Sequence, residues 1–239
     1  MLTSSQLAGS RDWEHRIDRS GARVAFTLPD GQRIVSGDVR GTVNRLLFPP
    51  ASRLLLSLPA DRSYVQQEWM AFFLSWIQAL PDPVLNRPTG QSLSGEWRHR
   101  SQWTMFAVRA GLPIRPYAQD GSVVPDAWLS DRSLLALGWQ PRTLLVIAGR
   151  VIGDAPPRIL DGVASLARMA ATPLLGIDFA ERAGEWVLAG ATPQPDLRLG
   201  GESAVAALVE ALSPSAPAER RTSQSNRPSD SRSEVEASV

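Results

Sequence analysis

The chain has 239 residues, 25 of them basic and 24 acidic, for a net charge of +1, and it contains no cysteine. That balance excludes a protein held to nucleic acid by its overall field. The absence of cysteine excludes disulfides, thiolate catalysis and cysteine metal sites, and two histidines, His15 and His99, are too few to build a histidine metal centre.

Every basic residue is arginine. A GC-rich coding sequence produces this bias, but the chemical consequence is independent of the cause. Lysine Schiff bases, lysine general bases and the lysine of a P-loop are all ruled out. A hydrophobic content of 43% supports a sizeable core. No apolar run approaches the roughly 20 residues that span a bilayer. The opening MLTSSQLAGSRDWEHR lacks the apolar centre of a secretory signal. These features lead us to expect a cytoplasmic protein with no membrane or nucleic-acid partner.

In chain order, residues 1–20 are polar and read as a leader or a short first helix. Arg23 to Leu28 alternates as a strand, Pro29-Asp30-Gly31 turns, and Arg33 to Val35 returns, which predicts a β-hairpin. Residues 51–62 read as a linker with an apolar patch at Leu54 to Leu58. Ser63 is the expected N-cap of a helix to Leu80. Its apolar stripe (Val65, Trp69, Phe72, Phe73, Trp76, Ile77, Leu80) has helical spacing and reads as core. Val84-Leu85 predicts a short buried strand, and Ser101 the cap of a helix to Ala110, stopped by Gly111. LPIRPY (112–117) is an expected strand and 118–141 an irregular stretch. Thr143 to Ile147, a turn at Gly149, and Val151-Ile152 form a second hairpin. Pro156-Pro157 opens an amphipathic helix. Leu174 to Phe179, the turn Ala183-Gly184 and Trp186 to Leu188 form a third hairpin, whose loop TPQPDLRLGG delivers the chain to a helix near Glu202. From Ser213 the sequence is rich in Ser, Pro, Arg and Glu and reads as a disordered tail. Strands alternating with helices predict an α/β (α+β) fold.

The common catalytic signatures are absent: G-x-G-x-x-G, the P-loop, H-E-x-x-H and G-x-S-x-G. Three features remain as site candidates. These are the acid Asp178 on a strand end, Arg198 with Gly200-Gly201 at a helix start, where backbone N–H groups favour an anion, and the Asn86-Arg87-Pro88 turn.

Those features, with the blocks DVRGTVNRLLFPP, EWMAFFLSWIQAL and PVLNRP, resemble the ATP-grasp proteins of the glutathione-synthetase-like kind, the carboxylate–amine ligases. The resemblance runs in separated blocks over 23–212. Asn86-Arg87-Pro88, the helix around Trp103 and Gly111-Leu112-Pro113 are similar to the approach to the ATP-grasp domain. Gly176-Ile177-Asp178 is similar to the strand that carries one magnesium ligand. The family's second element is Glu-x-Asn, and the spacing puts Gly190 and Thr192 in those places, with Pro193 following. The family also holds nucleotide phosphates with lysines and folds a central lobe over ATP, and the stretch between Tyr117 and Thr143 is short for such a lobe.

The resemblance therefore implies a pre-ATP-grasp-like domain (21–90) and a reduced ATP-grasp-like domain (91–212) between leader and tail. It implies a non-catalytic substrate-recognition or accessory subunit of a biosynthetic or peptide-modifying assembly, with a protein or peptide partner. No cofactor is expected. The alternative is an active ATP-dependent ligase using Mg-ATP with arginines in place of lysines. A retained pocket is expected between the Asn86 turn, the Thr143–Ile152 hairpin and the 190–201 loop. Arg87, Arg150 and Arg198 would line it, with Thr192, Gly200 and Gly201 on the loop. Asp178 would be its lone acid and the only retained ligand of the family type.

Overall fold

In the computed structural model, the strands gather into sheets that bury apolar residues on one face or on both. The structure describes residues 1–19, 21–50, 58–115 and 138–213. The expectations for most of the 54–58 patch, for most of the 118–141 stretch, for most of the 117–143 lobe interval and for the tail beyond 213 lie outside those residues.

The first sheet is antiparallel, in the order β1 (Arg11–Asp18), β2 (Gly21–Thr27), β3 (Arg33–Val35). The predicted hairpin is its second half, closed around Pro29-Asp30-Gly31, where the Leu28 N–H donates to the Gln32 carbonyl (2.8 Å). Its first half extends the reading of 1–20 as a leader or a short first helix: the helix is there, and a strand not foreseen follows it. A short helix, α1 (Ser4–Gly9), is followed by a strand of eight residues. β1 is an edge strand, so most of its side chains meet water and it stays polar. Trp13 is its anchor, stacked on Phe26 with centroids 4.2 Å apart.

Helix α2 (Arg62–Gln78) lies on this sheet and contributes Phe73, Trp76 and Ile77 to a core with Val24, Phe26 and Leu28. Fully burying a side chain such as Phe26 or Phe73 contributes about 2–3 kcal/mol. The expected Ser63 cap is not used: a 3-10 turn at Pro59–Asp61 begins the winding earlier, and Asp61 precedes the first helical residue. Two short parallel strands flank α2 in the chain, β4 (Thr42–Val43) before it and β5 (Val84–Leu85) after it.

Helix α3 (Arg100–Arg109) is capped by His99 rather than Ser101. The His99 Nδ1 accepts from the Ser101 N–H (3.3 Å), and the His99 N–H donates to Gln102 Oε1 (2.9 Å). Here an imidazole does the work of the usual short polar cap. Residues 112–115 form no strand, contrary to expectation. Pro113 lacks an N–H, and its carbonyl instead accepts from the Leu188 N–H (2.9 Å), sealing part of a sheet edge.

The second large sheet is antiparallel, in the order β7 (Arg150–Ile152), β6 (Gln140–Ile147), β8 (Leu174–Arg182), β9 (Glu185–Thr192). The β8–β9 turn has positive φ at Ala183 (51°) and Gly184 (82°), the geometry of a tight two-residue hairpin. One face packs Leu144, Val146, Leu175, Ile177, Phe179 and Leu188 against α3 and α4 (Pro157–Met169). The opposite face packs Leu145, Ile147, Ile152 and Leu174 against Leu85 and α5 (Gly201–Leu212). The mixed α/β architecture agrees with the sequence.

Candidate functional site

On the second face, one row of the sheet is polar. The register sets Thr143 of β6 beside Asp178 of β8, and Asp178 beside Gly190 of β9. All three are partly exposed. Alternation forces this placement: Ile177 and Phe179 face the core, so Asp178 between them must face away. The Thr143 hydroxyl donates to Asp178 Oδ1 at 2.7 Å, which fixes the carboxylate on the row. Opposite, a Cβ placed at Gly190 would meet nothing within 4 Å. The row is a carboxylate beside an open notch. The β8–β9 register shifts immediately after it, between Asp178 and Phe179.

The rows on either side are filled. Gly176, on the same face, lets Pro195 lie flat on the strand; a Cβ there would come within 2.7 Å of the Pro195 ring. Outward, Ala180 and Val187 pack against Trp139.

The other candidates are spent on structure. Asn86 is 3% exposed, and its side chain binds on both sides. Nδ2 donates to the Leu174 (2.8 Å) and Pro193 (3.2 Å) carbonyls, and Oδ1 accepts from the Leu174 N–H (2.9 Å). It is a clamp between β5 and β8. The Arg87 guanidinium donates to the Gln78 (2.7 Å) and Leu80 (2.9 Å) carbonyls at the end of α2, and to Asp82 (2.8 Å). A cation there satisfies carbonyls that a helix end leaves open. Thr192 stands opposite Gly176, and its Oγ1 accepts from the Gln194 N–H (3.1 Å), turning the chain into the loop.

Arg150 lies 3.6 Å from Glu210, with both side chains exposed. Arg198 forks onto Asp196, with Nε to Oδ1 at 2.9 Å and Nη2 to Oδ2 at 2.7 Å. The Arg198 side-chain hydrogen bonds, then its backbone N–H, hold Asp196 down at about 2, and the charge of Arg45 adds to the effect. Asp196 in turn raises Arg198. The anion expected at this helix start is thus supplied internally, by Asp196. Gly200 is a packing glycine, whose absent Cβ would come within 2.6 Å of Ala204 and 2.8 Å of Leu145, and Gly201 holds φ at +50°.

The structure therefore brings Asp178 and Thr143 together and disperses the three arginines to separate partners. Sequence reasoning missed Thr143 as a site residue, because only the β6–β8 register reveals it. Among the described residues, no group of three or more His, Asp or Glu is placed to hold a metal ion. A cavity of about 200 Å³ opens away from the expected place, at the end of α4, lined by Val146, Gly149, Ala167, Arg168, Ala171 and Pro173.

No protein-family model matches the sequence, and no curated protein matches it. The fold is similar to solved structures. One is the macrocyclase MdnB from Microcystis aeruginosa MRC, with a TM-score of 0.61 and 12% identity over 90% of this chain and 87% of that one. Another is the macrocyclase MdnC of the same organism bound with precursor peptide MdnA, at 0.63 and 13% over 85% and 86%. A third is a Chryseobacterium gregarium RiPP-associated ATP-grasp ligase in complex with ADP and a leader and core peptide, at 0.61 and 8% over 83% and 84%. At these identities the likeness is one of fold, and that fold is ATP-grasp-like.

Proposed function

We propose that this chain is a non-catalytic ATP-grasp-like protein, serving as a substrate-recognition or accessory subunit of a peptide-modifying assembly. The observation that carries the reading is the residue opposite Asp178, which is Gly190. Magnesium takes a near-octahedral shell of oxygens, with carboxylates providing the charge that competes with its water. The Thr143–Asp178–Gly190 row has one carboxylate, and that carboxylate already accepts from Thr143. These residues do not fit a nucleotide-bound magnesium ion, and we route no step through one.

The arginines support the same reading. To stand in for phosphate-binding lysines they would have to converge, yet Arg87, Arg150 and Arg198 are each engaged elsewhere. The partner part of the proposal rests on the fold. Solved proteins that share it are described as macrocyclases and ATP-grasp ligases, two of them bound with peptides. A chain that keeps such a fold without the metal row retains a surface for a peptide, or for the enzyme that modifies it. We assign 21–90 and 91–212 to the two domains. Because Leu7 and Trp13 pack into the first core, we place 1–20 with the first domain as well.

A thermal-shift titration tests the proposal. A nucleotide present at a hundredfold excess over its dissociation constant stabilises by about 2.7 kcal/mol, which moves the melting point of a chain this size by several degrees. We expect no shift with Mg-ATP and a stable complex when the chain is co-expressed with its partner peptide or ligase. A melting point that climbs with Mg-ATP, together with ATP turnover, overturns the reading.

A further inference from the structure

We propose that the Thr143–Asp178–Gly190 row binds a basic side chain of a partner peptide. The inference deepens the peptide-partner reading above and rests on it.

Asp178 has one hydrogen-bond partner beyond the strand ladder, the Thr143 hydroxyl on Oδ1. Among the described residues no cation pairs with it. Arg142, one residue from Thr143, lies on the other face and pairs with Glu181 (3.5 Å). Arg182 sits 4.9 Å from the ring centre of Trp139. Arg198 is closed onto Asp196. The second oxygen of Asp178, Oδ2, has no partner among the described residues and can accept a charge-assisted hydrogen bond from an incoming cation.

The shape of the row gives that cation a place. Gly190 leaves open space directly across from the carboxylate. Packed matter bounds the notch on both sides along the strands, Pro195 over Gly176 and Trp139 over Ala180. A side chain with a terminal positive charge can enter this open space and meet the fixed carboxylate beside it. An ammonium or guanidinium makes a charge-assisted hydrogen bond there. A bare divalent ion does not, since it needs several oxygens around it. The chain has no lysine of its own to fill the place.

The test is an amide NMR titration of the full chain with three blocked tripeptides, Gly-Arg-Gly, Gly-Lys-Gly and Gly-Glu-Gly, and with magnesium chloride alone. We expect the arginine and lysine probes to move the amide signals of Thr143, Asp178 and Gly190. The acidic probe and magnesium should leave them in place. Asp178→Asn keeps the shape and the Thr143 contact, and should weaken the basic probes by about tenfold or more. Gly190→Val fills the notch while leaving the charge, and should abolish the shifts. If no probe moves the row, if the acidic probe moves it as much as the basic ones, if magnesium moves it, or if Asp178→Asn binds the basic probes as well as the native chain, the inference falls. A partner peptide that still co-purifies in that case leaves the accessory reading standing, whereas binding and turnover of Mg-ATP remove the accessory reading itself.

Discussion

On one face of the C-terminal sheet, Leu144, Val146, Leu175, Ile177 and Phe179 are sealed beneath α3 and α4. On the other face, beside the buried cluster of Leu145, Ile147 and Leu174, one row carries Thr143, Asp178 and Gly190, all within reach of water. Asp178 and Phe179 are neighbours in sequence and belong to different worlds in space. Strand alternation can place a tightly packed core and a polar notch on opposite sides of one backbone, so each can change independently of the other. Residues on one face can therefore vary while those on the other keep the fold.

The largest expected effect probes that separation directly. Phe179→Ala removes a ring that is 1% exposed and lies 5.5 Å from Trp186 in an edge-to-face contact. It should destabilise by about 3–5 kcal/mol. Asp178→Ala, one residue away, should change stability by less than about 1 kcal/mol. Urea unfolding of both variants measures the contrast, and equal losses would mean that the two faces are not independent.

A smaller contrast lies within the open face, between two glycines on neighbouring strands. Gly176→Ala drives a Cβ to within 2.7 Å of Pro195 and should destabilise by about 1–3 kcal/mol. Gly190→Ala adds a Cβ into empty space in a strand and should be neutral or stabilising by a few tenths of a kcal/mol. Thermal melts separate the two, and a loss at Gly190 matching that at Gly176 would show that the notch is filled.

The smallest effect concerns the Asp196–Arg198 pair beside the site. Asp196 is held at about 2, below its ordinary 3.8, chiefly by the Arg198 side chain. A carboxyl depressed on folding contributes stability that is present above pH ~3.8 and lost as the pH falls through about 2. The carboxylate is in solvent, so the contribution is slight and screened by salt. An NMR titration should place its midpoint near 2, and in Arg198→Gln the midpoint should rise toward the ordinary value. An unchanged midpoint would detach Asp196 from Arg198.

The sequence showed plainly those parts of the fold that are decided locally. The Ala183-Gly184 hairpin, the helix opened by Pro157 and the aromatic stripe of α2 follow from turn chemistry and periodicity. β1 was hidden because an edge strand with water on most of its surface keeps a polar composition, and Trp13 alone marked it. The cap of α3 was misplaced by two residues because the imidazole of His99 took the role expected of Ser101. Within the candidate site, Asp178 and the place of Gly190 were visible from spacing. The hydroxyl that holds Asp178 was not, because Thr143 lies 35 residues away and only the strand register joins them. The arginines are dispersed to separate partners for a related reason. A side chain this long finds local acceptors first, as Arg87 does at the end of α2 and Arg198 does at Asp196.

The Asn86 clamp has a consequence for the order in which the protein can be completed. Its amide closes on Leu174 and Pro193, 88 and 107 residues further along. As the chain leaves the ribosome, the first core can assemble around Phe26 and Phe73 while this side chain still lacks the partners that will satisfy it. Closing loops of that length is entropically slow, and the reward arrives only when β8 and the loop after β9 have been made. Before that point, the polar seam on Asn86 cannot close.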